Sequence, residues 1–578
     1  MPLIAHPSSP FSALAAFMNL LPLPGASPCH RPGRAPFPAP CPGTPRRPGI
    51  VRGLAGLAFC AAGLWSLPVD AAEASCPESS RTGSTSSCTG SAGWRLHIEG
   101  LSVLDAEDVR RYWQSWLDVR PDESSIQAVA DALQRQVRAA GRPFARVHVP
   151  APDREGRVVR LVVVEGRYGE VTLRGGAARG AAPWLGALRP GRPIGDELER
   201  QVDAVSRLPG VSITAGLGPG DEVGEGDVEL VVDQTRRWGL DLRVDNHGNR
   251  YSGRERGSVA AHVNGLLVFG DRLTASGGGN SGKGWDGAAA YQVPLGHSGA
   301  RVALTASRNH YRLGGEFKPL EAQGRVDAMG VMTTVPLTTR GTGRLTWQFG
   351  VEGRDMRNAQ KAVAIEDRRR AFAVTTGLQG VSYPSPGTAG WGGVGMEMGE
   401  VRLRDATAAA MDAASARVAG QYLVLSADAA LLRQWTRWGL LLRGSGQFSD
   451  RNLDPSRKFS LGGARSVRAW PLGEASGDHG VLAQAELRYR WKALEPFGFV
   501  DAGRVTFSHT PWDTSARAKA LPQGRMLAGA GVGLRWQHGP WTAEGTAGWR
   551  IGTSLQRTSV SDPKARAPQV WVNVGYAL

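Results

Sequence analysis

The chain has 578 residues, a formal net charge of +16, 77 Gly, 18 Trp and only 21% charged residues. That length is too great for one ordinary soluble core, and beyond residue 75 no run reaches the ~18 consecutive apolar residues of a spanning helix. The five cysteines, Cys29, Cys41, Cys60, Cys76 and Cys88, all precede residue 89, which excludes a Cys-based metal site or nucleophile from the folded body.

Residues 1–74 read as a leader. The segment 53–67 (GLAGLAFCAAGLWSL) is apolar, follows Arg46, Arg47 and Arg52, and precedes Ala72-Glu73-Ala74, a small-x-small cleavage pattern. It is too short to span a membrane and reads as a secretory signal peptide. Residues 1–49 are proline-rich, unlike a signal peptide; a misassigned start codon and an extended leader both account for them. The segment 75–93 is Ser/Gly-rich and reads as a linker. Its Cys76 and Cys88 either close a small disulfide loop in an oxidising compartment or stay free thiols in a disordered tail.

Two small α/β units follow. Residues 94–103 predict a strand and 105–118 a helix, with Val109, Tyr112, Trp113, Trp116 and Leu117 on one face. A second helix is expected over 124–140, with Ile126, Val129, Ala130, Leu133 and Val137 on one face and Gly141 placed to end it. Strands 144–149 and 157–165 complete the first unit, 94–167. A shorter version repeats over 168–234: strand 168–174, a helix marked by Leu198, Val202 and Val205 and stopped by Pro209-Gly210, then strands 211–215 and 227–233.

The remainder, 235–578, alternates with period two. Trp238, Leu240, Leu242 and Val244 oppose Gly239, Asp241, Arg243 and Asp245. Val570, Val572, Val574, Tyr576 and Leu578 likewise share one face. This is the lipid-out, water-in dyad of a membrane β-barrel. Strands read backwards from the C-terminus at 569–578, 541–551, 525–537, 497–507 and 481–491 are separated by alternately long and short gaps. Such barrels have short periplasmic turns and long external loops, so the C-terminus is periplasmic and the long gap 449–480 is extracellular.

Three motifs lie in this region. The long loop contains Phe459-Ser460-Leu461-Gly462-Gly463-Ala464-Arg465-Ser466-Val467-Arg468-Ala469-Trp470, a later strand contains Phe499-Val500-Asp501-Ala502-Gly503, and Asp245-Asn246-His247-Gly248 follows the first strand. With "GRPFARVHVP" and "GRVVRLVVVEGRYGEV" in the N-terminal units, the chain over roughly 94–578 resembles the TpsB transporters of two-partner secretion. The resemblance implies two polypeptide-transport-associated (POTRA) domains, 94–167 and 168–234, before an outer-membrane barrel of about 16 strands. It also implies that the loop folds back into the lumen, where Arg468 pairs with Asp501 on the wall. Phe499 shares the parity of Asp501, and a lipid-facing Asp is costly, so both are expected to face the lumen. A partly hydrated pair there would contribute only on the order of 1–3 kcal/mol. Ala469 and Trp470 replace the family's usual Gly and Tyr or Phe; if position 469 needs φ > 0, Ala costs on the order of 1 kcal/mol.

The expected function is export of an unfolded partner polypeptide through a monomeric barrel embedded in outer-membrane lipid. A barrel-assembly factor shares the loop and wall motifs but usually carries more periplasmic domains, and a passive porin needs neither. No cofactor, metal or catalytic role is expected. His-Glu-x-x-His and Gly-x-Ser-x-Gly spacings are absent. Gly277–Gly284 (GGGNSGKG) superficially resembles a phosphate loop, but Gly284 stands where Ser or Thr must follow the Lys; it reads as a loop between strands. No basic module interleaved with aromatics points to nucleic acid.

Overall fold

A computed structural model describes residues 85–89, 95–104, 123–150, 157–340, 343–513, 515, 521–553 and 557–578. The leader, Cys76 and the helix expected at 105–118 lie outside the described residues.

The first unit contains β1 (Thr85–Thr89), β2 (Arg95–Glu99), the helix Glu123–Ala139, β3 (Arg146–His148) and β4 (Val158–Val164), with sheet order β1-β2-β4-β3. The 3.6-residue period decides which face of the helix is buried. Ile126, Val129, Ala130, Leu133 and Val137 all pack into one core with Leu96, Ile98, Val159 and Leu161. Gly141, at φ +98°, ends the helix in a conformation that favours Gly. β1 lies inside the segment read as a linker. Its Ser/Thr run carries no apolar alternation, but the open edge of β2 supplies the hydrogen-bond partners that make it a strand.

The second unit contains β5 (Arg167–Arg174), the helix Asp196–Ser206, β6 (Val211–Pro219) and β7 (Glu225–Gln234), ordered β5-β7-β6. A short helix and 3-10 turn over 178–185 were not anticipated; they deliver Trp184 and Leu185 to the core. This unit is bolted to the barrel. Phe269, from a short barrel turn, packs against its core. Trp184 meets His297 edge-on with ring centroids 5.3 Å apart, and Arg344 Nη2 donates to Asp203 Oδ1 at 2.9 Å.

Sixteen antiparallel strands then close a barrel. They are β8 (Trp238–Asp245), β9 (Arg256–Asn264), β10 (Arg272–Asn280), β11 (Trp285–Leu295), β12 (Ala300–Arg312), β13 (Ala322–Arg340), β14 (Gly343–Gln360), β15 (Ile365–Ser385), β16 (Thr388–Leu403), β17 (Gly420–Trp435), β18 (Trp438–Ser449), β21 (His479–Tyr489), β22 (Leu494–Thr506), β23 (Gly524–His538), β24 (Trp541–Arg550) and β25 (Gln569–Ala577). A hairpin of β19 (Phe459–Leu461) and β20 (Ala475–Gly477) sits in the loop between β18 and β21. Closure satisfies every edge, the only way strands can cross a bilayer. No described helix is long and apolar enough to cross a membrane.

The alternation fixes which side meets lipid. Val570, Val572 and Val574 are exposed outward, whereas Trp571 between them is buried inward. The short turns share the mouth occupied by the second N-terminal unit, and exposed Trp238, Trp435, Trp438, Trp491 and Trp541 cluster at those turns. Indoles favour the membrane–water boundary, so this girdle marks the periplasmic interface. The long loops lie at the opposite, external mouth.

The barrel closes between β25 and β8, with a short register from Asn573↔Asp245 to Ala577↔Asp241. Asn246 extends it. Its side-chain amide donates to the Val570 carbonyl at 3.2 Å and accepts from the Val572 amide at 2.8 Å, imitating a further backbone rung. The Gly277–Gly284 run is only partly loop: it finishes β10 and then turns through residues 281–284. Asn280 Oδ1 accepts from the amides of Gly282 and Gly284 at 3.1 and 2.9 Å, as turn chemistry requires.

Candidate functional site

The loop 450–478 leaves β18 at the external mouth and returns to β21. Between those points it descends into the lumen. Two glycines make the reversal. Gly462 (φ +95°) and Gly463 (φ +101°) adopt left-handed backbone, and a Cβ at Gly462 would strike the Pro471 carbonyl. The Gly463 amide donates to the Trp470 carbonyl at 2.9 Å, and the Trp470 amide to the Val467 carbonyl at 3.1 Å, closing the tip. Phe459 packs beside it.

Apolar burial holds the tip against the wall. Leu461, Val467, Ala469 and Trp470 are fully buried with Val505 and Leu527. Burying the larger of these side chains stabilises by roughly 1.5–3 kcal/mol each. The Trp470 indole also donates to the Ala528 carbonyl at 3.0 Å, which satisfies its one polar atom.

Arg468 reaches Asp501. Its Nε and Nη2 donate to the two Asp501 carboxylate oxygens at 2.8 Å each, and its backbone amide donates to Oδ2 at 3.0 Å. Phe499 and Asp501 both face the lumen, as their parity predicts, while Val500 is exposed outward. The guanidinium lies 3.7 Å from the Phe499 ring centroid, near enough for a cation–π attraction. Gly503, two residues further on the same face, leaves room for Leu461: a Cβ there would lie 2.6 Å from Leu461 Cδ2.

The pair is drier than the expected half-hydrated contact. Side-chain exposure is 7% for Arg468 and 0% for Asp501. In such surroundings the desolvation of each ion offsets much of the attraction, so the pair fixes geometry more than it adds net stability.

Ala469 does not need left-handed backbone; it is not among the described residues with positive φ. The expected conditional cost of Ala in place of Gly therefore does not arise. The wall makes room instead. A Cβ at Gly529 would collide with the Ala469 methyl, and one at Gly548 would lie 3.0 Å from Ala469 Cα and N.

Four further residues complete the site, and the motifs did not name them. Glu486 accepts from Arg468 Nη1 at 2.8 Å and is shared with Arg488 and Arg535. Gln484 donates to the Ser466 carbonyl at 2.8 Å, and Trp571 Nε1 donates to the Arg468 carbonyl at 2.8 Å. Phe497 lies beneath Arg535 at 4.0 Å. A signal existed for two of them: Glu486 and Trp571 are a charge and a large aromatic at lumen parity in strands whose other faces are apolar. Of the two cysteines, Cys88 lies in β1.

A family model described as "Haemolysin secretion/activation protein ShlB/FhaC/HecB" matches residues 224–536, more than half of the chain. The chain belongs to that family. A second model, "POTRA domain, ShlB-type", matches 93–166. Among curated relatives, the "Heme/hemopexin transporter protein HuxB" of Haemophilus influenzae is 25% identical over 419 residues, 69% of this chain and 73% of that protein. The "Outer membrane transporter CdiB" of Escherichia coli is 23% identical over 477 residues, 78% of each chain. The solved structure of CdiB from Escherichia coli superposes with TM-score 0.69 at 19% identity, covering 87% of this chain and 93% of that one; this likeness concerns the fold. The protein is an outer-membrane transporter of the two-partner secretion class, not an enzyme, and its POTRA domains are periplasmic.

Proposed function

We propose that the docked loop 450–478 is the gate of a polypeptide export channel, and that Arg468 is its latch on Asp501. The observation that supports this reading is the single guanidinium that ties the loop tip to β22 and β21 through Asp501 and Glu486. A barrel this wide holds an aqueous channel unless something occupies it, and the tip occupies part of it. A buried pair that fixes geometry while adding little net stability biases a loop between two positions without locking it.

The cargo enters as an extended chain received by the N-terminal units. Within the second unit, β6 pairs only with β7 among the described residues, and its outer half is exposed. Such an edge can add a strand through main-chain hydrogen bonds. The outer membrane supplies no ATP, so the cargo's own binding and folding drive transport. One chain closes the whole barrel, which supports a transporter that works as a monomer with its outward Val, Leu and Trp band in lipid. Relatives named for heme/hemopexin and hemolysin transport favour a secreted protein as the cargo class.

Deleting the gene and comparing secreted proteins tests the reading. Loss of one secreted polypeptide from the medium is the expected result. General loss of outer-membrane barrels with secretion intact would instead favour an assembly factor.

A further inference from the structure

Beside the loop tip the lumen holds a cavity of about 640 Å³. Its charged lining is unbalanced. Four of its arginines are committed to carboxylates: Arg468 to Asp501 and Glu486, Arg488 and Arg535 to Glu486, and Arg256 to Asp245. Three more are not. Arg243 on β8, Arg443 on β18 and Arg465 on the loop line the same cavity, and among the described residues none forms an ion pair or a side-chain hydrogen bond. Arg443 and Arg465 are solvent-exposed within the lumen. Of the two remaining carboxylates of the lining, Glu544 is paired with Arg535 and Asp428 is paired with none of the three.

The lining holds seven arginines against four carboxylates, and this excess positive charge in one confined space attracts anions. Low-dielectric walls focus its field, and basic rings are how pores favour anions over cations. Guanidinium also has a forked donor geometry that matches a carboxylate. The three come from opposite parts of the molecule: the first barrel strand, the strand preceding the loop, and the loop itself. An anion held among them would bridge wall and gate.

We infer that this cavity is an anion-binding station that takes carboxylate groups of an extended polypeptide in transit. That occupant rests on the export reading; the anion preference of the lumen does not. Asp and Glu side chains of the passing segment would replace the missing partners of Arg243, Arg443 and Arg465 one after another. Because each contact is hydrated, each is weak enough to release as the chain advances.

The test uses the full-length protein in planar lipid bilayers under a KCl gradient. The reversal potential should show chloride favoured over potassium. An oligoglutamate peptide added at the periplasmic side should block the current, and an oligolysine peptide of equal length should not. The triple variant R243Q/R443Q/R465Q should lose most of the chloride preference and weaken oligoglutamate block about tenfold or more. Potassium preference, equal block by both peptides, or an unaltered triple variant would overturn the proposal. Chloride preference without oligoglutamate block would overturn the carboxylate assignment. If the variant does not insert, the two wild-type measurements still decide. None of these readouts involves the natural cargo, so failure of the export reading would be seen separately, in the secretion experiment.

Discussion

The indole of Trp571, on the last barrel strand, donates to the backbone carbonyl of Arg468 at the loop tip, at 2.8 Å. The same indole meets His247 edge-on with centroids 5.8 Å apart. The strand that closes the barrel therefore holds the loop tip, and the motif after the first strand braces that strand. Trp571→Phe keeps the ring and removes the donor, which leaves the Arg468 carbonyl unpaired at a cost of about 1–3 kcal/mol. The variant should insert normally and open more often. Single-channel recording should show open probability raised by about fivefold or more; unchanged gating would mean the contact does not restrain the tip.

Removing either partner of the Arg468–Asp501 pair should be asymmetric. Arg468→Ala takes the only cation from the fully buried Asp501 carboxylate and leaves it the residue-468 amide and Gln484 Nε2 as donors, whereas Asp501→Ala leaves Arg468 with Glu486. Breaking a buried pair by deleting one partner costs about 3–5 kcal/mol. Both variants should impair secretion with the barrel inserted, and Arg468→Ala should be the worse. The double variant should be little worse than Arg468→Ala, because both remove one contact. Secretion defects that add on a logarithmic scale would rule out a shared role.

The tip also depends on small residues facing it. Gly529→Val places a branched side chain where the Ala469 methyl lies. The loop should then undock, and external protease should cleave within 450–478 faster than in the unmodified protein. Ala469→Gly, the residue usual in the family, relieves no strain here and removes one buried methyl, so it should change stability by about 1 kcal/mol or less. Markedly improved thermal stability of that variant would contradict the backbone conformation described at 469.

Phe269 joins the second N-terminal unit to the barrel by packing against that unit's core. Phe269→Ala should loosen the domain, since removing a half-buried Phe from this contact costs about 1–3 kcal/mol. Limited proteolysis between residues 234 and 238 should accelerate while the barrel stays heat-resistant. Secretion should fall, because cargo would no longer be delivered at a fixed position over the lumen.

The barrel was legible because its physics is local. A strand in a membrane must alternate, so Trp238, Leu242 and Val244 announced their face, and the gaps between strands announced the orientation. The helix over 123–139 was equally readable from the spacing of Ile126, Val129, Leu133 and Val137. β1 was not, because Thr and Ser carry no apolar period and that strand exists only where β2 offers an edge. Likewise, nothing local marks Ala178–Leu185 as structured; Trp184 acquires its place from the core it fills and from His297 on the barrel.

Sequence alone determined that this chain crosses a membrane as strands, that its parity sends Asp501 inward, and that Arg468 sits on a loop long enough to reach it. Those follow from residue order and period. Tertiary structure decided everything that depends on which wall a lumen residue faces. Closure brings Trp571 to Arg468 across 103 positions of chain, aligns Gly529 and Gly548 beneath Ala469, and gathers Arg243, Arg443 and Arg465 around one cavity whose arginines outnumber its carboxylates. The physical reason is that a period of two assigns each residue to inside or outside, whereas its neighbour across the lumen is set by strand number and register, quantities that exist only once the barrel has closed.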